Sequence, residues 1–170
     1  MFSLYEPHNE WVSKGKSNKK VALGHAVCIT TNQHHFCMHW QVMEKQHDVD
    51  MPLIIRDFIQ SKHGKYRIES WSFDRNFGSP ENREGLAEQV DCLVMPKKGR
   101  ISKKEQKQQE EAEFKKYRKK HSTIEANINQ LECLGAGKCR DKTIEGFKRY
   151  VGLSVLAYNL HRLGKIRRRY

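Results

Sequence analysis

The sequence contains no long apolar run, and this excludes one broad class of protein. Its 170 residues include no stretch near the roughly 18 consecutive apolar residues that a membrane-spanning helix requires. The start, Met1 to Pro7, also lacks the basic and apolar regions of a secretory signal peptide. We therefore expect a soluble, cytoplasmic protein that has no membrane partner.

Cysteine is scarce and irregularly spaced, which argues against a disulfide-stapled secreted fold. The count of five is odd, and three of the cysteines lie in apolar, strand-like runs. This pattern favours reduced thiols in an intracellular protein. The positions are Cys28, Cys37, Cys92, Cys133 and Cys139.

Acidic residues are also few relative to basic ones. The chain has 20 Asp and Glu against 32 Lys and Arg, which gives a formal charge of +12 and an isoelectric point near 9.6. A chain with this balance attracts polyanions, so nucleic acid is the expected partner. The length suits one domain with a substantial core and is equally compatible with a piece of a larger protein.

One short motif invites an interpretation as a nucleotide site. Gly15-Lys16-Ser17 has the residues that end a phosphate-binding loop. The full motif requires a glycine five positions before Gly15, where Glu10 stands, and a preceding strand of a suitable kind. A basic hairpin loop over residues 14–20 is the better interpretation.

Two groups of histidine and cysteine resemble zinc sites. In the first, between His34 and His39, strand alternation sends Cys37 and His39 to one face, and no second ligand pair follows at zinc-ligand spacing. A structural strand is the favoured reading there. The second group, Cys133 and Cys139, supplies two ligands, which do not make a site.

Turn and cap signals predict the first elements of an α/β fold. Residues 21–31 and 36–43 are two runs rich in β-branched and aromatic residues, separated by a polar turn, and predict an antiparallel hairpin. Pro52 fits the first turn of a helix that should run to about Lys62 and end at Gly64.

A strand, a helix and a second strand follow in a short span. The first strand, residues 67–73, should end on Asp74, the position at which functional residues stand in open α/β sheets. Ser79 should then cap a helix running to about Gln89, and residues 91–95 should form the second strand. So short a crossover implies that the two strands pair in parallel.

Residues 97–120 change composition to Lys, Glu and Gln with almost no apolar side chains. Residues 103–113 are predicted to be a solvated helix or a mobile arm. The dense basic ends of the segment suit phosphate contacts instead.

Two further helices are predicted after this charged segment. In the first, Ile124, Ile128 and Leu131 recur at helical spacing and predict a buried stripe. A neighbouring polar line consists of Arg118, His121, Glu125, Asn129 and Glu132. The second helix, residues 144–163, is apolar nearly all round, which predicts burial, with Gly164 as its end and residues 165–170 as a basic tail.

Asp74 at a strand end and Glu125 on a helix are candidate metal ligands. Cleavage of phosphodiesters uses two divalent ions about 4 Å apart, and Mg²⁺ and Mn²⁺ prefer carboxylate oxygens. Spacing alone leaves both possibilities open, because most acidic side chains are simply solvated.

Seven ordered blocks are spread along nearly the whole chain: Phe2–His8, Glu10–Lys16, Gln41–Lys45, Ser72–Phe77, Pro96–Arg100, His121–Glu125 and Glu145–Val151. Together they resemble the C-terminal half of bacterial insertion-sequence transposases of the DDE type. This resemblance implies an RNase H-like mixed sheet flanked by helices, incomplete at its N-terminal edge.

The resemblance also implies roles for particular residues. Asp74 would be the second acid of the catalytic triad and Glu125 the third, together holding Mg²⁺ or Mn²⁺. His121 would have a supporting catalytic role near the scissile phosphate. Many relatives carry a tyrosine, arginine, glutamate and lysine signature on this helix. Only the glutamate is kept here, because Arg118, His121 and Glu132 stand at the other positions.

Double-stranded DNA at the ends of the element is the implied partner, with self-association as a further expectation and a nucleoid-associated location. The residues expected to contact DNA are Lys97, Lys98, Arg100, Lys115, Lys116, Arg118, Lys119, Lys120, Lys148 and Arg149.

The first acid of the triad has no match in this sequence. Glu6, Asp48 and Asp50 are the nearby acids, and none stands in a matching context. We therefore expect residues 1–164 to be the C-terminal part of a catalytic domain in a truncated chain. The alternative is a non-catalytic, basic DNA-binding remnant that competes at element ends. An RNA-associated protein is less favoured, because no RNA-stacking aromatic motif appears on the strands.

Overall fold

The computed structural model describes residues 8–16, 19–64, 68–97 and 99–168. The chain forms two compact units, one of Met1–Lys45 with Glu125–Tyr170 and one of Gln46–Ile124. Within the described ranges the strands are β1 (Glu10–Lys16), β2 (Lys19–Gly24), β3 (Ala26–Thr31), β4 (Cys37–Met43), β5 (Ile68–Ser72) and β6 (Val90–Val94). The helices are α1 (Met51–His63), α2 (Pro80–Ala87), α3 (Lys103–Glu110), α4 (Ala112–His121), α5 (Thr123–Leu131) and α6 (Ile144–Arg167).

Two antiparallel hairpins begin the first unit. β1 pairs with β2, so residues 14–16 and 19–20 of the predicted loop lie in strands, and residues 17–18 lie outside the described residues. β3 pairs with β4 as predicted. The predicted strand over residues 21–31 is divided, because Gly24 has a φ of 147°, which a side chain would disfavour. Cys37 and His39 point into the core while Met38 is exposed, in agreement with the predicted alternation. All five cysteines are free thiols.

Side chains of α6 fix the turn between β3 and β4. The Tyr158 hydroxyl donates to the carbonyl of His35 at 2.7 Å. Asn159 accepts from the Cys37 amide at 2.9 Å and donates to the Cys37 carbonyl at 3.0 Å. The hairpin and α6 therefore share a core, in which Val151 and Val155 pack.

The structure corrects the prediction that α6 is buried on all sides and ends at Gly164. The helix continues to Arg167, and Leu153, Leu156, Leu160 and Leu163 are exposed. Neighbouring elements cover only one side of α6. Because the helix is apolar on all sides, the apolar side chains of its other side face solvent.

The predicted buried stripe of α5 is also corrected. Leu131 is buried, but Ile128 is 39% exposed and Asn127 is buried instead. The Asn127 amide lies 3.2 Å from Nδ1 of His35, within hydrogen-bonding distance. A polar contact therefore places Asn127, rather than Ile128, on the inner side of the helix.

The second unit contains the predicted strand, helix and strand. β5 pairs with β6 in parallel, as expected, and the Ser79 hydroxyl accepts from the Asn82 amide at 3.0 Å to cap α2. Leu86 and Val90 are buried beside Phe73. The described strands form three separate two-stranded sheets, so an RNase H-like mixed sheet stays a prediction.

The charged segment after β6 forms helices α3 and α4, which confirms a helix for residues 103–110. Beyond the predicted solvated stretch, Phe114 and Tyr117 of α4 are buried against Val94. Lys98 and the end of the basic tail, residues 169–170, lie outside the described residues. No helix in the described part of the chain is long and apolar enough to cross a membrane.

The hydrogen bonds that cap the N-terminus of α3 should depend on pH. Glu105 has a pKa of about 2, lowered first by hydrogen bonds from the Ser102 amide and then by Lys97 and the Ser102 hydroxyl. Because folding lowers this pKa, the contribution of the cap to stability is present above about pH 4.5 and is lost as the pH falls towards 2. We expect the Ser102 amide resonance to titrate in this range by NMR, and Glu105→Gln to remove the titration. An amide that titrates near pH 4.5 in the wild type would contradict this assignment.

Candidate active site

Asp74 stands where β5 ends, and its side chain is exposed. Its carboxylate accepts a hydrogen bond from the Arg75 amide at 2.7 Å, which caps the short turn Arg75–Phe77. This local contact fixes the carboxylate at the carboxyl end of a parallel strand, the edge where ligands bind in open α/β sheets. The structure thus places Asp74 as the sequence predicted.

Helix α4 lies along β5 through two polar contacts. Tyr117 donates from its hydroxyl to Glu69 at 2.6 Å. One turn later, Nδ1 of His121 lies 3.1 Å from the Ser72 hydroxyl. Tyr117 and His121, one turn apart on α4, therefore contact β5 at Glu69 and at Ser72.

The hydrogen bond to Glu69 also affects the chemistry of Tyr117. This hydrogen bond is the largest cause of the raised pKa of the Tyr117 hydroxyl, because the Glu69 carboxylate accepts from the neutral phenol and so disfavours its ionised form. Burial raises the pKa further. Tyr117 therefore remains a neutral donor that anchors α4. We attribute a structural role to this contact, since it holds the helix at a fixed register on the strand.

A cleft of about 150 Å³ opens at the end of β5 between the strand and α4. It contains one carboxylate, two guanidinium groups and one imidazole. Groups of this kind suit a phosphate-bearing ligand, because arginine binds phosphate oxygens in a bidentate manner. The lining residues are Phe73, Asp74, Arg75, Val94, Pro96, Arg118, His121 and Ser122.

The predicted site residues are only partly brought together. Asp74, Arg118 and His121 line one cleft. Glu125 is exposed in the first turn of α5 and belongs to the first unit. The predicted polar line that contains both His121 and Glu125 is interrupted, since Ser122 separates α4 from α5.

The donor set of the cleft decides which metal ions could bind. Asp74 offers the hard oxygen that Mg²⁺ and Mn²⁺ prefer. It is the one carboxylate among the lining residues, and the described part of the chain has no group of three or more His, Cys, Asp or Glu suited to a metal. The donor type fits a divalent ion, and a second acid is needed to complete the site.

The predicted DNA-contacting residues differ in their surroundings. Lys115, Lys116, Arg118, Lys119 and Lys120 are exposed along α4, and Arg100 is exposed before α3. The ammonium groups of Lys116 and Lys120 each lie 5.2 Å from the Tyr117 ring centroid. These side chains form a basic surface on the helix that lines the cleft.

Three other predicted contacts are engaged in ion pairs. Lys97 pairs with Glu105 at 3.0 Å. Lys148 pairs with Glu44 at 2.8 Å and Glu145 at 3.1 Å, and Arg149 pairs with Asp141 at 3.1 Å. Binding of DNA through these cations would exchange one anionic partner for another, so they are weaker candidates than the cations of α4.

Sequence reasoning missed the two residues that hold α4 to β5. The segment that contains Tyr117 was interpreted from its charge alone. The strand that contains Ser72 was interpreted from its apolar residues alone. A usable signal was present, because Tyr117 and His121 are four residues apart and therefore lie on one face of the helix.

A parallel pair of strands with an acid at one strand end, beside a basic helix, is typical of an α/β protein. The family profile described as "Transposase DDE domain" matches residues 2–160 of the chain. The chain therefore belongs to the DDE transposase family, which acts in DNA transposition and generally uses divalent metal ions. No curated protein and no solved structure matches the chain significantly.

Proposed function

We propose that this chain takes part in metal-dependent cleavage and transfer of DNA strands at the ends of a transposable element. Asp74 and Glu125 would hold Mg²⁺ or Mn²⁺, and His121 would contact the scissile phosphate. The observation that carries the proposal is the cleft at the end of β5, which combines Asp74 with Arg118 and His121.

The contact of α4 with β5 supports the role of His121. Nδ1 of His121 lies 3.1 Å from the Ser72 hydroxyl, and Tyr117, one turn earlier, donates to Glu69 on the same strand. Asp74 follows this strand, so His121 and Asp74 lie at the same cleft. The role of Glu125 rests on the family resemblance.

Each residue of the cleft has a distinct task in this mechanism. Asp74 would contribute a carboxylate oxygen to a bound divalent ion, and such an ion would activate the attacking oxygen and stabilise the leaving oxygen. Arg75 and Arg118 would bind non-bridging phosphate oxygens and orient the DNA strand. His121, whose Nδ1 lies 3.1 Å from the Ser72 hydroxyl, would contact the same phosphate.

The test of this function is nicking of supercoiled plasmid by the purified chain. We expect nicked circles with Mn²⁺ and none with EDTA, because the carboxylates have no catalytic power without an ion. DNA binding, measured in parallel by fluorescence anisotropy, should persist in EDTA. Nicking that is equal with and without metal would contradict the proposal.

A second candidate function is DNA binding without cleavage, in competition with an active transposase at element ends. It is favoured by a specific observation, which is that Asp74 is the one carboxylate among the residues that line the cleft. Salt-sensitive DNA binding, with no nicking at any Mn²⁺ or Mg²⁺ concentration, would establish this function and exclude the first.

The bond between Ser72 and His121 gives a prediction for a positioning residue. Ser72→Ala should lower the nicking rate roughly five- to tenfold, because a hydrogen bond of about 1 kcal/mol no longer orients the imidazole. Ser72→Thr keeps the hydroxyl and should restore the rate. The ¹⁵N shifts of the His121 ring should reveal a changed tautomer population in the alanine variant.

Plasmid affinity provides the control for Ser72→Ala, since this side chain is not expected to contact DNA. If Ser72→Ala nicks at the wild-type rate, or if Ser72→Thr fails to restore it, the hydroxyl does not position His121.

A further inference from the structure

The short turn after β5 carries two of the charged side chains that line the cleft, Asp74 and Arg75. The Asp74 carboxylate accepts from the Arg75 amide, and the Phe77 amide donates to the carbonyl of Asp74 at 3.2 Å. Asp74, Arg75 and Asn76 are all exposed. A single exposed turn opens easily unless other elements hold it. The positions of both charged groups therefore depend on what supports the turn from behind.

One buried side chain of α2 provides this support. Asn82 is 3% exposed, and its side-chain nitrogen donates to the carbonyl of Phe77 at 2.8 Å and to that of Val49 at 2.7 Å. Both acceptors are carbonyl oxygens, so the NH₂ end of the amide must face them and both of its N–H groups are used. Asn82 thus joins the last residue of the turn to a second short turn, Asp48–Asp50.

Asn82 stands on the side of α2 that faces the core, where an apolar side chain is the usual residue. Leu86, one helical turn later on the same face, is fully buried. A buried amide costs free energy unless its polar atoms are hydrogen-bonded. Because Asn82 forms its bonds with two main-chain carbonyls, it can stabilise one conformation of the turn, which an apolar side chain of the same size cannot do.

The end of the turn is also packed closely against its neighbours. Nη2 of Arg83, the next residue of α2, donates to the carbonyl of Met95 at 3.2 Å. A Cβ atom built on Gly78 would lie 3.3 Å from the same Nη2 and 3.4 Å from the carbonyl oxygen of Pro96. The chain at Gly78 therefore passes between α2 and the segment that follows β6, which leaves the turn little freedom at this end.

We propose that Asn82 is a positioning residue of the cleavage site, which holds the turn so that Asp74 and Arg75 are presented to a metal ion and a phosphate. This inference rests on the proposed function, because that function gives the two charged groups their tasks. Asn82 is buried and is not among the residues that line the cleft. It acts through the turn, so its loss should lower the rate of cleavage and leave the affinity for DNA unchanged.

Amide hydrogen exchange measures whether Asn82 holds the turn. In Asn82→Ala the amides of Phe77 and Gly78 should exchange roughly fivefold faster, because opening of the turn no longer breaks the hydrogen bond from Asn82. Amides elsewhere in α2 should change less. The matched control is Arg56→Met, which removes a side-chain donor from the carbonyl of Gly85, 2.9 Å away, towards the other end of α2. This control should leave exchange in the turn unchanged.

Plasmid nicking measures whether the held turn matters for the reaction. With saturating Mn²⁺ and plasmid, the rate of Asn82→Ala should fall about tenfold, because a small displacement of reacting groups slows catalysis strongly. The plasmid concentration that gives half the maximal rate should not change. Asn82→Asp keeps the size of the side chain but turns a carboxylate towards two carbonyl oxygens, so its rate should fall at least as far. Arg56→Met should keep the wild-type maximal rate.

All rates are measured below the unfolding transition of each variant, followed by circular dichroism. Turn amides that exchange in Asn82→Ala as in the wild type would overturn the proposal, as would an unchanged maximal rate in a variant whose turn amides exchange faster. An equal loss of rate in Arg56→Met would assign the effect to general loosening of α2 and would overturn it too. A wild type that does not nick would contradict the proposed function, whereas the exchange comparison would still decide whether Asn82 fixes the turn.

Discussion

Asp74→Asn is expected to lower Mn²⁺-dependent nicking by at least about 100-fold, because a neutral amide cannot replace a charged ligand of a catalytic ion. The substitution should not alter the fold. Asp74 is exposed, and asparagine keeps the oxygen that accepts from the Arg75 amide. The measurement is the initial rate at which supercoiled plasmid becomes nicked, for the two proteins at equal concentration.

Three further measurements test whether the loss of nicking is specific to the proposed metal site. Glu125→Gln should lower the nicking rate by a comparable factor, since both acids are proposed to hold the metal ion. Glu84→Gln removes an exposed carboxylate from α2 and should nick like the wild type. DNA affinity of Asp74→Asn should be unchanged or higher, because a negative charge leaves a cleft with two arginines. Wild-type nicking by Asp74→Asn would remove Asp74 from the site.

Local signals explain why the region around Asp74 could be predicted. Strand alternation, the Ser79 cap and the proline after it act over a few residues, so β5, α2 and β6 were recognised in order. The position of Asp74 at the strand end followed from that order. The contact of His121 with Ser72 could not be predicted from local signals, because it joins residues 49 positions apart in the sequence.

The errors share one physical origin, which is that a periodic pattern does not say what covers each face. The apolar pattern of α6 correctly predicts a helix, but neighbouring elements cover one side and leave Leu156 and Leu160 exposed. In α5 the contact of Asn127 with His35 places a polar residue inside and Ile128 outside. Tertiary contacts of this kind override helical periodicity.

The family resemblance supplied what the residues alone left open. By spacing, Asp74 and Glu125 were two acids among 20. The matching family profile shows the class of protein, whereas the role of each acid is a proposal that the variants described above test. The fold and the family thus limit the class of reaction, whereas the mechanism has to be argued from individual side chains.

Removal of the basic surface of α4 should have the largest effect on DNA binding. Replacing Lys115, Lys116, Lys119 and Lys120 by glutamine removes four exposed cations from the helix that lines the cleft. If each contacts one phosphate, the slope of log affinity against log salt should fall by about 3 to 4. Affinity at low salt should drop on the order of 100- to 1,000-fold.

A charge-matched variant separates local contacts from general attraction. Glutamine at Lys45, Lys62, Lys138 and Lys142 lowers the formal net charge by the same four units, from +12 to +8. These lysines lie outside α4, so the salt slope should change by less than about 1. Glutamine is a good helix former, and α4 should keep its circular dichroism signal.

The comparison of the two variants decides whether DNA follows α4 to the cleft. A local interface predicts a large loss for the α4 variant and a small one for its control, because counterions are released only where phosphates are contacted. Equal losses would mean that binding depends on net charge alone. In that case the cations beside Asp74 would not guide a phosphodiester into the cleft, and the proposed catalytic role of that edge would lose its support.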